Sequence, residues 1–191
     1  MKLILASTSP FREAILDKLG LHFDTVSPET DETAMENETP QQLVERLSIA
    51  KAKAVADKVK NALVIGSDQV SVINGVITGK PHTHENAVKQ LQQASGKTVT
   101  FYTGLCLYNS ESKQYQSEVV PFNVVFRQLS EQQINSYLLK EEPYNCAGSF
   151  KSEALGIVLF EKLEGEDPNT LMGLPLIRLV KMLEKEHFSI L

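Results

Sequence analysis

The sequence feature that most constrains the fold of this chain is an apolar run that leads, three residues later, to an aspartate. The run Ala62–Ile65 is followed at once by Gly66, Ser67 and Asp68. This pattern predicts a buried strand that breaks into a polar turn, so Asp68 is expected at the carboxyl edge of an α/β sheet. Ligands bind at that edge in open α/β sheets, which makes Asp68 the first candidate for chemistry. The alternative is a turn aspartate that hydrogen bonds to its own backbone.

Size, charge and hydropathy exclude several classes of partner. The 191 residues contain no repeat or linker, so we expect one domain, residues 1–191, made of two closely packed lobes. The formal net charge of -5 argues against a nucleic-acid polymer, because phosphate backbones require a broad basic surface, but a small anion stays compatible. No stretch approaches the roughly 20 apolar residues that span a membrane.

The cysteines and the first residues bear on the compartment. Cys106 and Cys146 have neither the spacing of a zinc site nor the number needed for a disulfide framework. The apolar segment Leu3–Ala6 is too short for a secretory signal. We therefore expect a cytoplasmic protein.

The first thirty residues contain a candidate anion site. Residues 2–6 predict a short strand, and the Ser-rich turn that follows leads into a helix with Ser9 as N-cap and Gly20 as its stop. Such a turn is expected to offer free backbone N–H groups to an anion. Arg12 lies in the first helical turn, where a cation opposes the helix dipole, so we interpret it as a partner for a ligand anion; a solvated arginine is the alternative.

Further charged candidates lie in a loop and on a helix. The acidic stretch 26–38 predicts a loop that presents Asp31 and Glu32, either to solvent or to a metal or ligand. A capped helix then begins after Thr39. Lys51 and Lys53 on this helix point about 200° apart, so at most one faces a given site.

A hairpin and a tight loop follow the central strand. Asn74-Gly75 between apolar residues predicts a two-residue hairpin turn. The loop Gly79–Pro81 holds one lysine, Lys80, against a proline. It is not a P-loop, because the glycine spacing is wrong and proline replaces the Ser or Thr that contacts magnesium. Lys80 stays a candidate for binding a phosphate.

The remaining chain predicts a second set of elements. We expect helices over 83–94, 130–140 and 175–182, with strands over 98–108, 119–126 and 156–160. The segment 146–153 is small and polar, so a ligand could approach its backbone closely. Glu153 at its end is either a specificity carboxylate or an exposed loop acid.

Six segments, in order, resemble the Maf family of nucleoside triphosphate pyrophosphatases. They are Ser7–Arg12, Asp31–Glu32, Gly66–Gln69, Gly79–Pro81, Ala147–Gly148 and Asn169–Pro175. The resemblance extends from the first predicted strand to the last predicted helix. It implies a Maf/ITPase-like α/β fold, an elongated mixed sheet with helices and two lobes around a central cleft. It also implies cleavage of a nucleotide between the α- and β-phosphates.

The resemblance also implies roles for individual residues. Asp68 is the implied catalytic base, and the implied phosphate-binding residues are Ser7, Arg12, Lys51 and Lys80, with a weaker claim for Lys53. Glu32 and Asp68 are the implied ligands of a divalent metal, Mg²⁺ or Mn²⁺, which oxygen ligands suit. Whether Glu32 acts as ligand, as base or as both stays open. Family members are often dimers, so a homodimer is a further expectation.

Three positions indicate the substrate. Phe11, Gln69 and Glu153 stand where many family members have Arg, Thr and Gln, and this set resembles the branch that hydrolyses 7-methyl-GTP. An aromatic ring can stack on the cationic N7-methylguanine, and a carboxylate can accept from its N1–H and amino groups. The alternatives are the same reaction on a canonical nucleotide such as dTTP or UTP, and a nucleotide-binding regulator of cell division without catalysis.

Overall fold

A computed structural model describes residues 1–191 as two compact units. The first unit comprises residues 1–69, 103–120 and 167–191, and the second comprises 70–102 and 121–166. The strands are β1 (Lys2–Leu5), β2 (Asp24–Thr25), β3 (Ala62–Ile73), β4 (Val76–Thr78), β5 (Thr98–Asn109), β6 (Tyr115–Phe126) and β7 (Phe160–Glu164). The helices are α1 (Pro10–Leu16), α2 (Pro40–Ala56), α3 (His84–Ala94), α4 (Glu131–Glu141) and α5 (Leu176–Lys185). None of the helices is both long enough and apolar enough to cross a membrane.

The strands form one mixed, seven-stranded sheet. Its order is β2-β1-β3-β5-β6-β7, and β4 pairs with β3 outside this path. β1 pairs in parallel with both β2 and β3, and Leu5 lies opposite Ile65. The α/β prediction is therefore confirmed.

Both faces of the sheet are covered in the first unit. Successive side chains of a strand point to opposite faces. Leu3, Leu5, Leu63 and Ile65 accordingly join one buried cluster with residues of α1 and α5. Their neighbours Ile4, Ala6, Val64 and Cys106 join a second cluster with Ala52, Val55 and Ala56 of α2. This double burial explains the unbroken apolar run 62–65.

Two glycines bring α2 unusually close to the sheet. A Cβ atom at Gly66 of β3 would lie 2.1 Å from the Ser48 carbonyl oxygen, and one at Gly104 of β5 would lie 2.1 Å from the Val44 carbonyl oxygen. No side chain fits at such distances. The absence of both Cβ atoms therefore sets the depth at which α2 lies on the sheet.

Local signals correctly predicted most element boundaries. Thr39 and Ser130 form capping boxes at α2 and α4, and Ser9 caps α1. The predicted hairpin is present, because Asn74 and Gly75 have φ values of 52° and 79° and Ile73 pairs with Val76. Those left-handed values match the turn that Asn-Gly favours.

Two predicted elements are wrong. Asp68 lies inside β3 rather than in a turn after it, because the strand continues to Ile73 and pairs with β4. Asp68 nevertheless follows the end of the parallel pairing, since β1 ends at Leu5 opposite Ile65. The predicted strand 156–160 is a 3₁₀ helix over Leu155–Leu159, and the strand begins only at Phe160.

In the second unit, α3 packs against α4 and an aromatic cluster fills the interior. Phe150 makes edge-to-face contacts with Phe101, Phe126 and Phe160, at ring-centroid distances of 5.5, 5.6 and 4.8 Å. Edge-to-face pairs of this kind stabilise beyond the apolar area that they bury. They anchor the start of the segment that carries Glu153.

Replacing Gly66 with Ala is expected to displace α2, because the new methyl group meets backbone atoms of that helix. We expect the free energy of unfolding to fall by about 3 kcal/mol and the melting temperature to fall by several degrees. Gly79→Ala is the matched control, since no atom lies within 4 Å of a Cβ there. Equal melting temperatures for the two variants would contradict the close approach.

Candidate active site

A buried lysine joins two carboxylates at the centre of the first unit. The Lys51 ammonium nitrogen lies 2.6 Å from Asp68 Oδ1 and 2.7 Å from Glu32 Oε1. Lys51 and Asp68 are 6% and 8% exposed, whereas the Glu32 side chain is 61% exposed. The three side chains, from α2, β3 and the loop 26–39, are called the Lys51 cluster below. Lys53 is exposed, as its orientation on the helix predicts.

The Glu32 loop is fastened to the same helix that provides Lys51. Arg46 of α2 donates from Nε and Nη2 to the Glu38 carboxylate at 2.6 and 2.8 Å, and from Nη2 to the Thr33 carbonyl at 3.1 Å. The Arg46 hydrogen bonds and that of the Met35 amide lower the pKa of Glu38 to about 2. A hydrogen bond from Thr33 lowers the pKa of Asp31. Asp31 therefore organises the loop beside Glu32.

The turn after β1 forms the predicted Ser9 cap and uses two of its backbone donors internally. The Ser9 amide donates to Ser7 Oγ at 3.0 Å, and the Arg12 amide donates to Ser9 Oγ at 3.4 Å. These two amide groups are therefore engaged within the turn rather than free for an anion, because serine hydroxyls compete for nearby backbone donors. Ser7 itself is buried.

The Arg12 guanidinium lies close to the Lys51 cluster. Burial lowers its pKa, whereas the carboxylates of Asp68 and Glu32 act in the opposite direction. Arg12 Nε donates to the Gly173 carbonyl at 2.9 Å. This hydrogen bond fixes the stem of the side chain and leaves the two Nη groups without a hydrogen bond in the chain.

Gly173 and Ser67 support this arrangement, and sequence reasoning gave neither a separate role. Gly173 has φ 99°, and a Cβ there would lie 3.1 Å from Arg12 Nε. Ser67 Oγ lies 2.8 Å from the Gly173 carbonyl oxygen and 2.9 Å from that of Gly104. The sequence signals for these two supporting roles were a small polar residue next to Asp68 and a glycine in the segment 169–175.

The side-chain amide of Gln69 is hydrogen bonded to other residues of the first unit. Its Nε2 donates to Thr103 Oγ1 and to the Thr170 carbonyl, both at 2.8 Å, and lies 3.3 Å from the Leu171 carbonyl oxygen. Both amide hydrogens are thus engaged. Gln69 holds the 3₁₀ helix Pro168–Met172, and only its Oε1 is left for a nucleotide.

The second unit brings Lys80 and Glu153 into one neighbourhood, around Cys146. Burial raises the pKa of the Cys146 thiol, Glu153 raises it further, and Lys151 and Lys80 lower it. These effects require both predicted residues to lie within electrostatic range of one thiol. Lys80 and Glu153 are exposed, and so is Phe11 of the first unit, at 39%.

The donor set of the first unit suits a hard divalent cation. Asp68 and Glu32 converge on one ammonium nitrogen, so their oxygens already surround a positive charge. The chain contains no cluster of three or more His, Cys, Asp or Glu side chains that could hold a metal. Mg²⁺ fits such a pair, because it is commonly bound by one or two carboxylates and takes its other ligands from phosphates and water.

Replacing Lys51 with Met leaves Asp68 buried without its ammonium partner. We expect the free energy of unfolding to fall by about 3 kcal/mol, because an unpaired buried charge is costly. Chemical denaturation at pH 7 measures the loss, with exposed Lys53→Met on the same helix as the control, expected to change stability by less than about 0.5 kcal/mol. Similar losses in both variants would show that the Lys51 cluster does not stabilise the fold.

Comparison with known proteins identifies the family of this chain. The profile of the family described as Maf-like protein matches residues 2–186. A protein of Colwellia psychrerythraea (strain 34H / ATCC BAA-681) named 7-methyl-GTP pyrophosphatase is 59% identical over 189 residues, 99% of this chain and 94% of that protein. A protein of the same name from Aliivibrio fischeri (strain ATCC 700601 / ES114) is 58% identical over 190 residues, 100% of this chain and 98% of that protein.

A solved structure agrees with the fold. The Ham1 protein of Staphylococcus aureus superposes with a TM-score of 0.55, covering 97% of this chain and 100% of that chain, at 14% identity. This likeness supports the architecture alone. The family profile extends over nearly the whole chain, and both relatives share more than half of its residues. The chain therefore belongs to the Maf family.

Proposed function

We propose that this protein hydrolyses 7-methyl-GTP to 7-methyl-GMP and pyrophosphate. The observation that carries the proposal is the Lys51 cluster with Arg12 beside it, since it combines a buried carboxylate with two cations. The two relatives named 7-methyl-GTP pyrophosphatase support the substrate. The corresponding cellular role is the clearance of modified nucleotides in the cytoplasm. That the protein forms a homodimer is a separate prediction.

The proposed reaction assigns each charged group a task. Arg12 directs its free Nη groups to the phosphates, and Lys51 and Lys80 contribute further positive charge. Asp68 Oδ1 accepts from Lys51, and Oδ2 takes a proton from the attacking water. The water oxygen bonds to the α-phosphorus, the bond from that phosphorus to the bridging oxygen breaks, and pyrophosphate leaves.

The charge balance of the first unit favours a metal-dependent reaction. Arg12 and Lys51 are balanced by Asp68 and Glu32, so the four groups together are neutral. A triphosphate carries about four negative charges, which this set alone does not neutralise. Mg²⁺ or Mn²⁺ held by Asp68 and Glu32 would supply Lewis-acid stabilisation of the phosphates. In this proposal Glu32 is a ligand of that metal, and its exposed side chain is also open to water.

Exposed groups are proposed to recognise the base. Phe11 presents an aromatic face to which a cationic N7-methylguanine can stack. Glu153 offers two carboxylate oxygens to the N1–H and amino groups of that base, and its charge complements the ring. Gln69 contributes only its carbonyl oxygen, because its amide nitrogen is engaged elsewhere.

The reaction is tested on 7-methyl-GTP, GTP, dTTP, UTP and CTP, with Mg²⁺ or Mn²⁺ and with a chelator. We expect preferred release of pyrophosphate from 7-methyl-GTP and loss of turnover with the chelator. Asp68→Asn should lower kcat at least about 100-fold while nucleotide binding persists, because the amide keeps the acceptor for Lys51 but is no base.

Exposed Asp57→Asn is the control for that substitution and should keep full turnover. Normal turnover in Asp68→Asn would exclude Asp68 as the base. Wild-type protein that binds nucleotides yet releases no pyrophosphate would overturn the proposal in favour of a binding regulator.

Base recognition is tested with the double variant Phe11→Arg, Glu153→Gln. It removes the stacking face and the complementary charge, so the ratio of kcat/KM for 7-methyl-GTP over GTP is expected to fall about tenfold. Phe11→Tyr keeps the ring and Glu161→Gln changes another exposed acid, so both should preserve the ratio. An unchanged ratio in the double variant would refute the recognition argument while leaving the reaction in place.

A further inference from the structure

One amide side chain in the second unit is bonded to both of the segments that carry its proposed substrate contacts. Gln90 of α3 donates from Nε2 to the Gly79 carbonyl at 3.0 Å, directly before Lys80. Its Oε1 accepts a hydrogen bond from Ser149 Oγ, four residues before Glu153. A primary amide can donate and accept at once, so neither bond weakens the other.

The Ser149 end of this bridge has an unusual backbone. Gly148 and Ser149 have φ values of 76° and 64°, so two successive residues are left-handed. This conformation is unfavourable for serine, which has a Cβ atom. Ser149 is fully buried, and its hydroxyl is directed to Gln90 rather than to water. The bond therefore helps to hold a strained turn in place.

Each segment also has its own anchor on a helix. Asn86 of α3 donates to the Pro81 carbonyl at 3.1 Å, beside Lys80. Glu141 of α4 accepts from the Leu155 amide at 3.0 Å and pairs with Lys151 at 3.1 Å. These contacts fix each segment to its helix. The Gln90 amide adds a direct link from one segment to the other.

We propose that Gln90 is a positioning residue that holds Lys80 and Glu153 at a set separation. The inference rests on the proposed function, in which Lys80 binds the phosphates and Glu153 binds the base of one nucleotide. A rigid spacing lets the same substrate satisfy both groups without reordering either loop, which preserves affinity. Gln90 acts through its bonds to Gly79 and Ser149 rather than on the nucleotide.

Gln90→Met tests this role, because methionine has a similar length and helix propensity but no amide. We expect KM for 7-methyl-GTP to rise about fivefold and the 7-methyl-GTP to GTP ratio of kcat/KM to fall about threefold, with kcat nearly unchanged. Gln92→Met is the matched control, since Gln92 is exposed on the same helix. A purely structural role would lower the melting temperature without changing the ratio.

Two further variants test the hydrogen bonds of Gln90 to Gly79 and to Ser149 one at a time. Gln90→Glu keeps the acceptor for Ser149 but loses the donor to Gly79, so KM should rise while the ratio is preserved. Ser149→Ala removes the other bond, so the ratio should fall. The double variant Gln90→Met, Ser149→Ala should have the ratio of Gln90→Met alone, since both changes break the same bond.

Thiol reactivity gives a readout that does not depend on catalysis. Cys106 is fully buried and Cys146 is partly exposed, three residues before Ser149, so a thiol reagent reports on Cys146. Gln90→Met should speed its modification about threefold, which corresponds to the loss of less than one hydrogen bond of local stability. Gln92→Met should leave the rate unchanged.

The outcomes distinguish the two proposals. If wild-type protein releases no pyrophosphate from any nucleotide, the proposed function fails, and the Cys146 rates alone decide whether Gln90 links the segments. If wild-type protein is active and Gln90→Met equals Gln92→Met in KM, ratio and thiol reactivity, the positioning role is overturned and the proposed function stands.

Discussion

The ion pairs of the buried Lys51 are the interaction on which the first unit's site depends. A lysine so little exposed must be paired, because an isolated charge away from water is very costly. Pairing with Asp68 and Glu32 fixes a helix, a strand and a loop relative to one another. The pairing is possible because Gly66 has no Cβ atom to hold α2 away from the sheet. The packing of α2 on the sheet and the ion pairs of the site therefore both depend on the glycine at position 66.

In the proposed reaction the ion pair between Lys51 and Asp68 also affects Asp68 as the catalytic base. Phosphate oxygens compete with Asp68 for the Lys51 ammonium group, since each is an anion that can accept its hydrogen bonds. A nucleotide that draws Lys51 toward its phosphates would weaken the hydrogen bond to Asp68 Oδ1. Arg12 can help in this exchange because Gly173 fixes its stem and leaves its Nη groups free.

Local sequence signals predicted the parts of this structure that depend on neighbours in the chain. Ser9, Thr39 and the Asn74-Gly75 pair each determine a cap or turn within a few residues, and the structure confirms them. Tertiary contacts were harder to predict from the sequence. The sequence predicts a turn at Asp68 because Gly66 and Ser67 resemble loop residues, whereas both serve close packing within the strand. Gln90 had no local signal, because its partners lie 11 and 59 residues away.

The two units thus position their candidate groups by different physical means. The first unit uses charge, and its carboxylates and cations are mutually dependent, so removing one leaves another unpaired. The second unit leaves Lys80 and Glu153 exposed and fixes their loops with hydrogen bonds from Gln90, with the aromatic contacts of Phe150 and with the Glu141–Lys151 ion pair. Neither an amide nor a hydroxyl group changes its charge with pH in the usual range. The Gln90 link between the two segments can therefore keep its geometry when the charged groups of the first unit exchange protons during the proposed turnover.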